Sequence, residues 1–506
     1  MYRILEFVVA LAPVLSAWAA AAALVGVRTG RDDFARSAGR AFVGATVLAW
    51  VSVAGLSYAF YVQELGVRYV ALTSSIAMPV RYAVAAMLAA PGGALLAFAA
   101  VGAALGAVAM LGHPRGGAAR LRLMFGIAGV VTPPLAIVAA ARNPFAGFAA
   151  ATSDGAGLTG DLQAGVAAAH AAFLLVGTAA AGVSCAETWA ALSTGALDDA
   201  WRQRTRVWNG ITAAALVLGV VFGVRWHAVT PSLGPWLAAA PNVLWVLALG
   251  VAAWVTQLSR GRTDAVRVVT TLLLGIATFA VCGAALSAGR GAWLVGAVPV
   301  DRGIAGAWIA VLPLGVLVAT VRLLRTARRA LGVAPAATSR RPAGDWLALA
   351  GLVVLAAVAI GGRMARVHEV ALGDTEIFRA RDAVGRQWQF ASQGLSTLER
   401  DNYALYAVSV LPTRGGTRLP IISAEARSYL LADGREPGAP SLRAAVIRDP
   451  VSEVRIWVVT PDARRPTLRI QFAPLGMWAI PAAIAVALGC LLGALPERTP
   501  RAAEAA

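Results

Sequence analysis

Four histidines are the residues of this 506-residue chain best suited to proton or metal chemistry: His113, His170, His227 and His368. Imidazole is the one side chain that changes charge near neutral pH without help, and in its neutral form it is a common metal ligand. His170 stands inside an apolar run, where ionisable groups lean towards function; the plain alternative is a polar residue bonded to a neighbouring helix. His227 follows Arg225 and Trp226 in what reads as a loop. Two readings of that loop stay open, an aromatic-belt anchor at a membrane surface or a ligand that joins His170 at the same membrane face. His113, in Gly112-His113-Pro114-Arg115, reads as a helix-end residue, and His368 beside Glu369 as a solvated residue or a member of a local hydrogen bond. Neither has a second ligand at metal-like spacing.

Other reactive groups are few. Glu187 is the carboxylate of note in an apolar run, placed to snorkel or to pair with Arg202, Arg204 or Arg206. Asp198-Asp199, among the same arginines, read as salt-bridged loop structure and not as an acid/base pair. Cys185, Cys282 and Cys490 fall in apolar runs without a CxxC motif, which makes them small core hydrophobes. Walker A, HExxH and Ser/His/Asp patterns are missing. Thr132-Pro133-Pro134 is expected to kink its helix.

The elements that must position these groups are helices in a membrane. A chain that is 58% hydrophobic and 14% charged, with mean hydropathy +0.69, is too apolar for a soluble protein. Runs long enough to cross roughly 30 Å of hydrocarbon lie at 4–27, 41–62, 82–111, 123–141, 165–192, 207–224, 236–258, 268–288, 303–321, 346–362 and 475–495. The first is read as a retained helix and not a cleaved signal.

The formal charge of +18 is arginine alone, since the 44 basic residues include no lysine. Loops after the odd-numbered spans, with the tail, hold 21 arginines, whereas the N-terminus and the opposite loops hold seven. By the positive-inside rule this puts the N-terminus outside and the C-terminus inside. The charge is thus a topology signal, and no nucleic-acid partner is expected. The other 16 arginines lie in 363–472, a polar segment on the outer side. Strand-like alternation at 403–410, 454–460 and 468–472, with turns at Gly415-Gly416 and Asp433-Gly434, makes it β-rich. A linker at 332–344 falls on the cytoplasmic face.

The expected architecture is an all-α polytopic membrane protein of about eleven transmembrane helices, with a small β-rich extracytoplasmic domain before the last helix. Residues 1–362 form a ten-helix bundle, 363–472 the outer domain, 473–495 the last helix and 496–506 a cytoplasmic tail.

Several blocks resemble one family. They are Leu56-Ser57-Tyr58-Ala59-Phe60 with Tyr69-Val70-Ala71, Ser74 and Met78-Pro79; Asn143-Pro144-Phe145 ahead of His170; and Thr194-Gly195-Ala196-Leu197-Asp198-Asp199-Ala200-Trp201 with Arg204, Arg206 and Trp208, leading to Gly219 and Gly223. Trp346-Leu347-Ala348, Gly351, Glu425, Arg427, Tyr429, Pro474-Leu475 and Trp478 continue the order. In these the chain resembles the cytochrome c heme lyase family of the CcmF/NrfE type. The resemblance implies a bacterial inner-membrane protein of cytochrome c biogenesis. Such a protein presents heme b at the outer face for attachment to apocytochrome c, beside other cytochrome c maturation membrane subunits.

The resemblance also implies a ligand set. Two histidines flank a tryptophan-rich WWD loop, and His170 stands at the first position; the second falls near Gly296. Two further histidines bind a structural heme inside the membrane, where this chain has Ala253 and Leu349. The WWD loop is reduced to His227, Pro231 and Gly234-Pro235-Trp236, and a Gly-His-Glu-Gly-Ser-like signature to Pro91-Gly92-Gly93-Ala94. The chain is also shorter than the family pattern, lacking helices between the ninth span and the last pair. His170 and His227 are then the candidate axial ligands of heme iron, Trp226 and Trp236 its flat walls, and Arg225 a partner for a propionate. The lost histidines leave open whether the chain catalyses thioether formation, and they favour an alternative, a heme-free scaffold subunit of a maturation complex.

Overall fold

Apolar backbone in hydrocarbon must satisfy its own hydrogen bonds, and each apolar run described here is a helix. The structure, a computed structural model, describes residues 2–76, 78–114, 117–147, 155, 157–158, 162–230, 343–373, 376–382, 384–400, 403–429, 441–461 and 465–494. The expected spans at 236–258, 268–288 and 303–321 lie outside the described residues, as do nearly all of the 332–344 linker, Trp236 and the Asp433-Gly434 turn. Helices α1 (Tyr2–Thr29), α2 (Asp32–Tyr61), α3 (Arg68–Thr73), α4 (Ala83–Leu88), α5 (Pro91–Leu111) and α6 (Ala118–Ala141) come first. Helices α7 (Gly165–Thr194), α8 (Asp199–Val229), α9 (Ala343–Arg363) and α10 (Ala479–Ala494) follow. Among the described residues seven helical stretches are long and apolar enough to cross a membrane. The chain is a multi-pass membrane protein.

Helices α2 and α8 begin well before their apolar runs, at Asp32 and Asp199 instead of the expected 41 and 207. The polar first turns continue the helix because acidic residues there meet the positive helix end. The expected single span at 82–111 is instead broken. A 3₁₀ turn (Val80–Tyr82) and α4 precede a stop at Ala89-Ala90, and α5 starts on Pro91, whose missing N–H costs nothing at a helix start. The buried Tyr69 hydroxyl accepts from the Gly93 amide at 3.1 Å and lies 2.8 Å from the carbonyls of Met87 and Ala90. A Cβ at Gly93 would fall 2.0 Å from the Met87 oxygen, so only glycine fits. In α6 the helix runs through Pro133 and Pro134, and Thr132 Oγ1 bonds Ser16 Oγ of α1 at 2.8 Å.

Helix α1 packs on α2 and α6, α7 lies along α8, and α10 pairs with α9 and rests on α8. The α9–α10 contact is close because glycine permits it. A Cβ at Gly489 would fall 2.3 Å from the Ala348 amide nitrogen.

The polar segment folds as a β-sandwich. One sheet runs β1 (Arg366–Ala371), β10 (Thr467–Pro474), β9 (Ser452–Thr460), β8 (Ala445–Ile447). The other runs β2 (Ile377–Arg381), β3 (Gln387–Arg400), β4 (Tyr403–Arg414), β6 (Ile422–Tyr429), β7 (Ser441–Arg443), with β5 (Thr417–Arg418) beside β4. Alternate residues Val454, Ile456, Val458, Leu468, Ile470 and Phe472 meet Trp388, Phe390, Val408, Val410, Ala424 and Ala426 in a dry core. The expected strands fall within β4, β9 and β10. Gly415 and Gly416, at φ 53° and 88°, make the β4–β5 turn.

Candidate functional site

The site is built on the α7–α8 hairpin. Gly195 ends α7 in the left-handed conformation, φ 69°, and Asp198 caps α8 by accepting from the Trp201 amide at 2.7 Å. Asp199 pairs with Arg202, so the two aspartates are structural, as expected. The hairpin brings the start of α7 and the end of α8 to the end of the bundle that carries the β-sandwich.

His170, in the second turn of α7, is 2% exposed. Its Nδ1 lies 2.6 Å from the carbonyl oxygen of Gly219 on α8. A carbonyl only accepts, so Nδ1 carries a proton and the orientation of the ring is fixed. Histidines that bind metals generally hold their other ring nitrogen by a bond of this kind. Gly223 leaves room for the ring: a Cβ there would fall 2.7 Å from both Cε1 and Nδ1 of His170. The Trp226 ring centre is 6.0 Å from that of His170, the planes at 45°. Trp226 is fully buried, so it is a core wall of this site and not a belt anchor.

The other candidates fare differently. His227 is in the last turn of α8 and not in a loop, because the helix continues to Val229; its side chain and all of Trp236 lie outside the described residues. Arg225 forms an ion pair with Glu453 of β9, and Arg455 Nε reaches the same carboxylate oxygen at 2.6 Å. Burial works against the charged carboxylate, but the guanidinium groups of Arg455 and Arg225 hold its pKa below the ordinary 4.5. The Arg225 guanidinium is therefore already engaged by a carboxylate from within the protein, one that it shares with Arg455. Leu349, where the resemblance implies a membrane histidine, packs against an apolar cluster of α8, α9 and α10; Ala253 lies outside the described residues.

Two histidines are placed otherwise than their local sequence suggests. His113, beyond α5, is buried, with Nε2 at 3.1 Å from both carboxylate oxygens of Glu187, and Arg204 Nε is 3.2 Å from Glu187 Oε2. The pairing of Glu187 with an arginine is as expected; His113 as its second partner was not legible across 74 residues of chain. His368 is not solvated but half-buried on β1, its ring centre 5.5 Å from Phe378 and 6.1 Å from Phe472.

As a heme site, the residues fit in one respect. They supply a single imidazole held at Nδ1, as axial ligands generally are. Among the described residues no group of three or more His, Cys, Asp and Glu could hold a metal ion.

No protein-family model matches the chain, and no curated protein matches it. Among solved structures the chain is similar to "Cytochrome c Heme Lyase CcmF", with TM-score 0.63, 18% sequence identity and coverage of 98% of each chain. That coverage extends over nearly the whole length of the solved chain. The likeness is one of fold, and the chain folds as CcmF does.

Proposed function

We propose that this chain is a cytochrome c biogenesis membrane protein that holds heme b at the outer membrane face and presents it to apocytochrome c. The observation that carries the reading is the His170 imidazole, bonded through Nδ1 to Gly219 and walled by Trp226. The fold of a heme lyase supports it. When bound, heme supplies the vinyl groups to which thiols add. The chain's own part is to keep His170 oriented and, with Trp226, to exclude water. His227, one helical turn beyond Gly223, is the second candidate ligand, and Trp236 a second wall. The arginine distribution supports an eleven-helix topology in a bacterial inner membrane, N-terminus outside, with the β-sandwich on the outer side as the surface for apocytochrome c and other maturation subunits.

A second reading, a heme-free scaffold of a maturation complex, is favoured by two observations. Arg225 is paired with Glu453, and Leu349 sits in apolar contacts. The visible spectrum of the purified full chain separates the two. A Soret band that disappears in His170→Ala and survives in His113→Ala supports heme handling. A colourless wild-type protein that co-purifies with cytochrome c maturation subunits supports the scaffold.

A further inference from the structure

The β-sandwich is fastened to both helices that enclose His170. On α8 the fastening is Arg225, the residue before Trp226, which pairs with Glu453 at the start of β9. On the α7 side it is the segment feeding the helix. Arg443 of β7 donates to the carbonyl of Gln163, and the Gln163 side chain donates to the Leu158 carbonyl at 2.9 Å. Gln163 is about two turns ahead of His170.

The β9 end of this arrangement is itself held from a third side. The Leu475 amide donates to the Val451 carbonyl at 2.9 Å, and Trp478 Nε1 to the Pro450 carbonyl at 2.8 Å. A Cβ at Gly476 would come within 3.1 Å of Glu453 Cβ. The chain entering α10 thus pins the strand that carries Glu453.

A carboxylate only 1% exposed is a poor choice if stability were the sole requirement, since apolar packing often serves as well. What a buried ion pair does provide is a single register. Here it has that role at one helix, while Arg443 fixes the other. Loosening either lets the α7 and α8 ends part at the level where Trp226 meets His170.

We propose that Glu453 and Arg443 are positioning residues for His170, tying the ends of α7 and α8 to the β-sandwich so that the sandwich sets access to the imidazole. The significance for heme rests on the reading of His170 as a ligand; the tie itself does not.

The test uses the full chain in detergent and diethyl pyrocarbonate at neutral pH, with modification of each histidine followed by peptide mass spectrometry. In the Glu453→Gln/Arg443→Gln double variant His170 is modified on the order of ten-fold faster than in wild type, as local opening becomes easier. His113, at the opposite end of the bundle, keeps its wild-type rate. Arg225→Lys, which retains the charge, stays close to wild type. An unchanged His170 rate in the double variant overturns the proposal, and so does a parallel rise at His113, which marks general loosening. A wild-type protein without a Soret band overturns the heme reading alone, because the ratio of His170 to His113 rates still decides this one. Where heme is present, a displaced Soret maximum in Glu453→Gln adds to its support.

Discussion

The α7–α8 pair holds one buried histidine contact at each end, and the two are chemically opposite. At the sandwich end His170 bonds a backbone carbonyl, which fixes the ring's orientation with a proton on Nδ1. At the other end His113 bonds a carboxylate that Arg204 also reaches, so charge is met by charge. A carboxylate can orient an imidazole as well as a carbonyl does, but the Glu187 carboxylate also holds Arg204, so the His113 bond ties α7 and α8 to the end of α5. Two buried histidines that meet one hairpin, His170 from within it and His113 from the end of α5, are thus told apart by the guanidinium that shares the second one's partner.

The comparison breaks first at Glu187. Replacing it with alanine leaves Arg204 and His113 without their buried counter-charge and costs about 3–5 kcal/mol, read as a fall in the unfolding midpoint in detergent. A loss below ~1 kcal/mol means the lower end is not held by charge. Gly223→Ala is next, at about 1–3 kcal/mol, because the added methyl must displace the His170 ring. Gly129→Ala, where a Cβ meets nothing within 4 Å, is the control and is neutral or slightly stabilising.

Acid sharpens the contrast further. Glu453 has its pKa depressed below 4.5, so the stability from its pairing is complete above 4.5 and is lost as pH falls through the lower folded value. The difference in midpoint between wild type and Glu453→Gln should therefore shrink below pH 4.5. The smallest effect belongs between the two ends, where Ser184 donates to Asn209 Oδ1 at 2.7 Å. Ser184→Ala costs about 0.6 kcal/mol, typical of one side-chain bond between membrane helices, and leaves both histidines' modification rates unchanged.

Hydropathy made the described helices legible, since each apolar run must satisfy its backbone internally. It misplaced the starts of α2 and α8 because it registers hydrocarbon and not helix, and both helices begin in polar turns. The break before α5 was written in Pro91-Gly92-Gly93, but those residues were weighed against a ligand signature and not as a helix start. Strands β4, β9 and β10 were readable from alternation. Of the site, His170 was legible as an ionisable group in an apolar run. Of the two readings open for Trp226, the belt anchor rested on the rule that an arginine next to a tryptophan usually marks a membrane surface; here the arginine's counter-charge, Glu453, arrives from 228 residues further along the chain. Contacts of that span leave no local pattern.

The knot around Tyr69 has a consequence for how the bundle can be altered. One phenol oxygen serves the Gly93 amide and the carbonyls of Met87 and Ala90, and in an unbroken helix the Met87 carbonyl would face Pro91, which has no N–H. The bend between α4 and α5 is thus a joint set by a single side chain from another segment. Removing that oxygen takes a partner from the Gly93 amide and the Met87 carbonyl, whereas the Ala90 carbonyl keeps the Ala94 amide at 3.2 Å. Tyr69→Phe therefore loosens the joint without letting the two pieces fuse, because Pro91 still denies the Met87 carbonyl a helical donor.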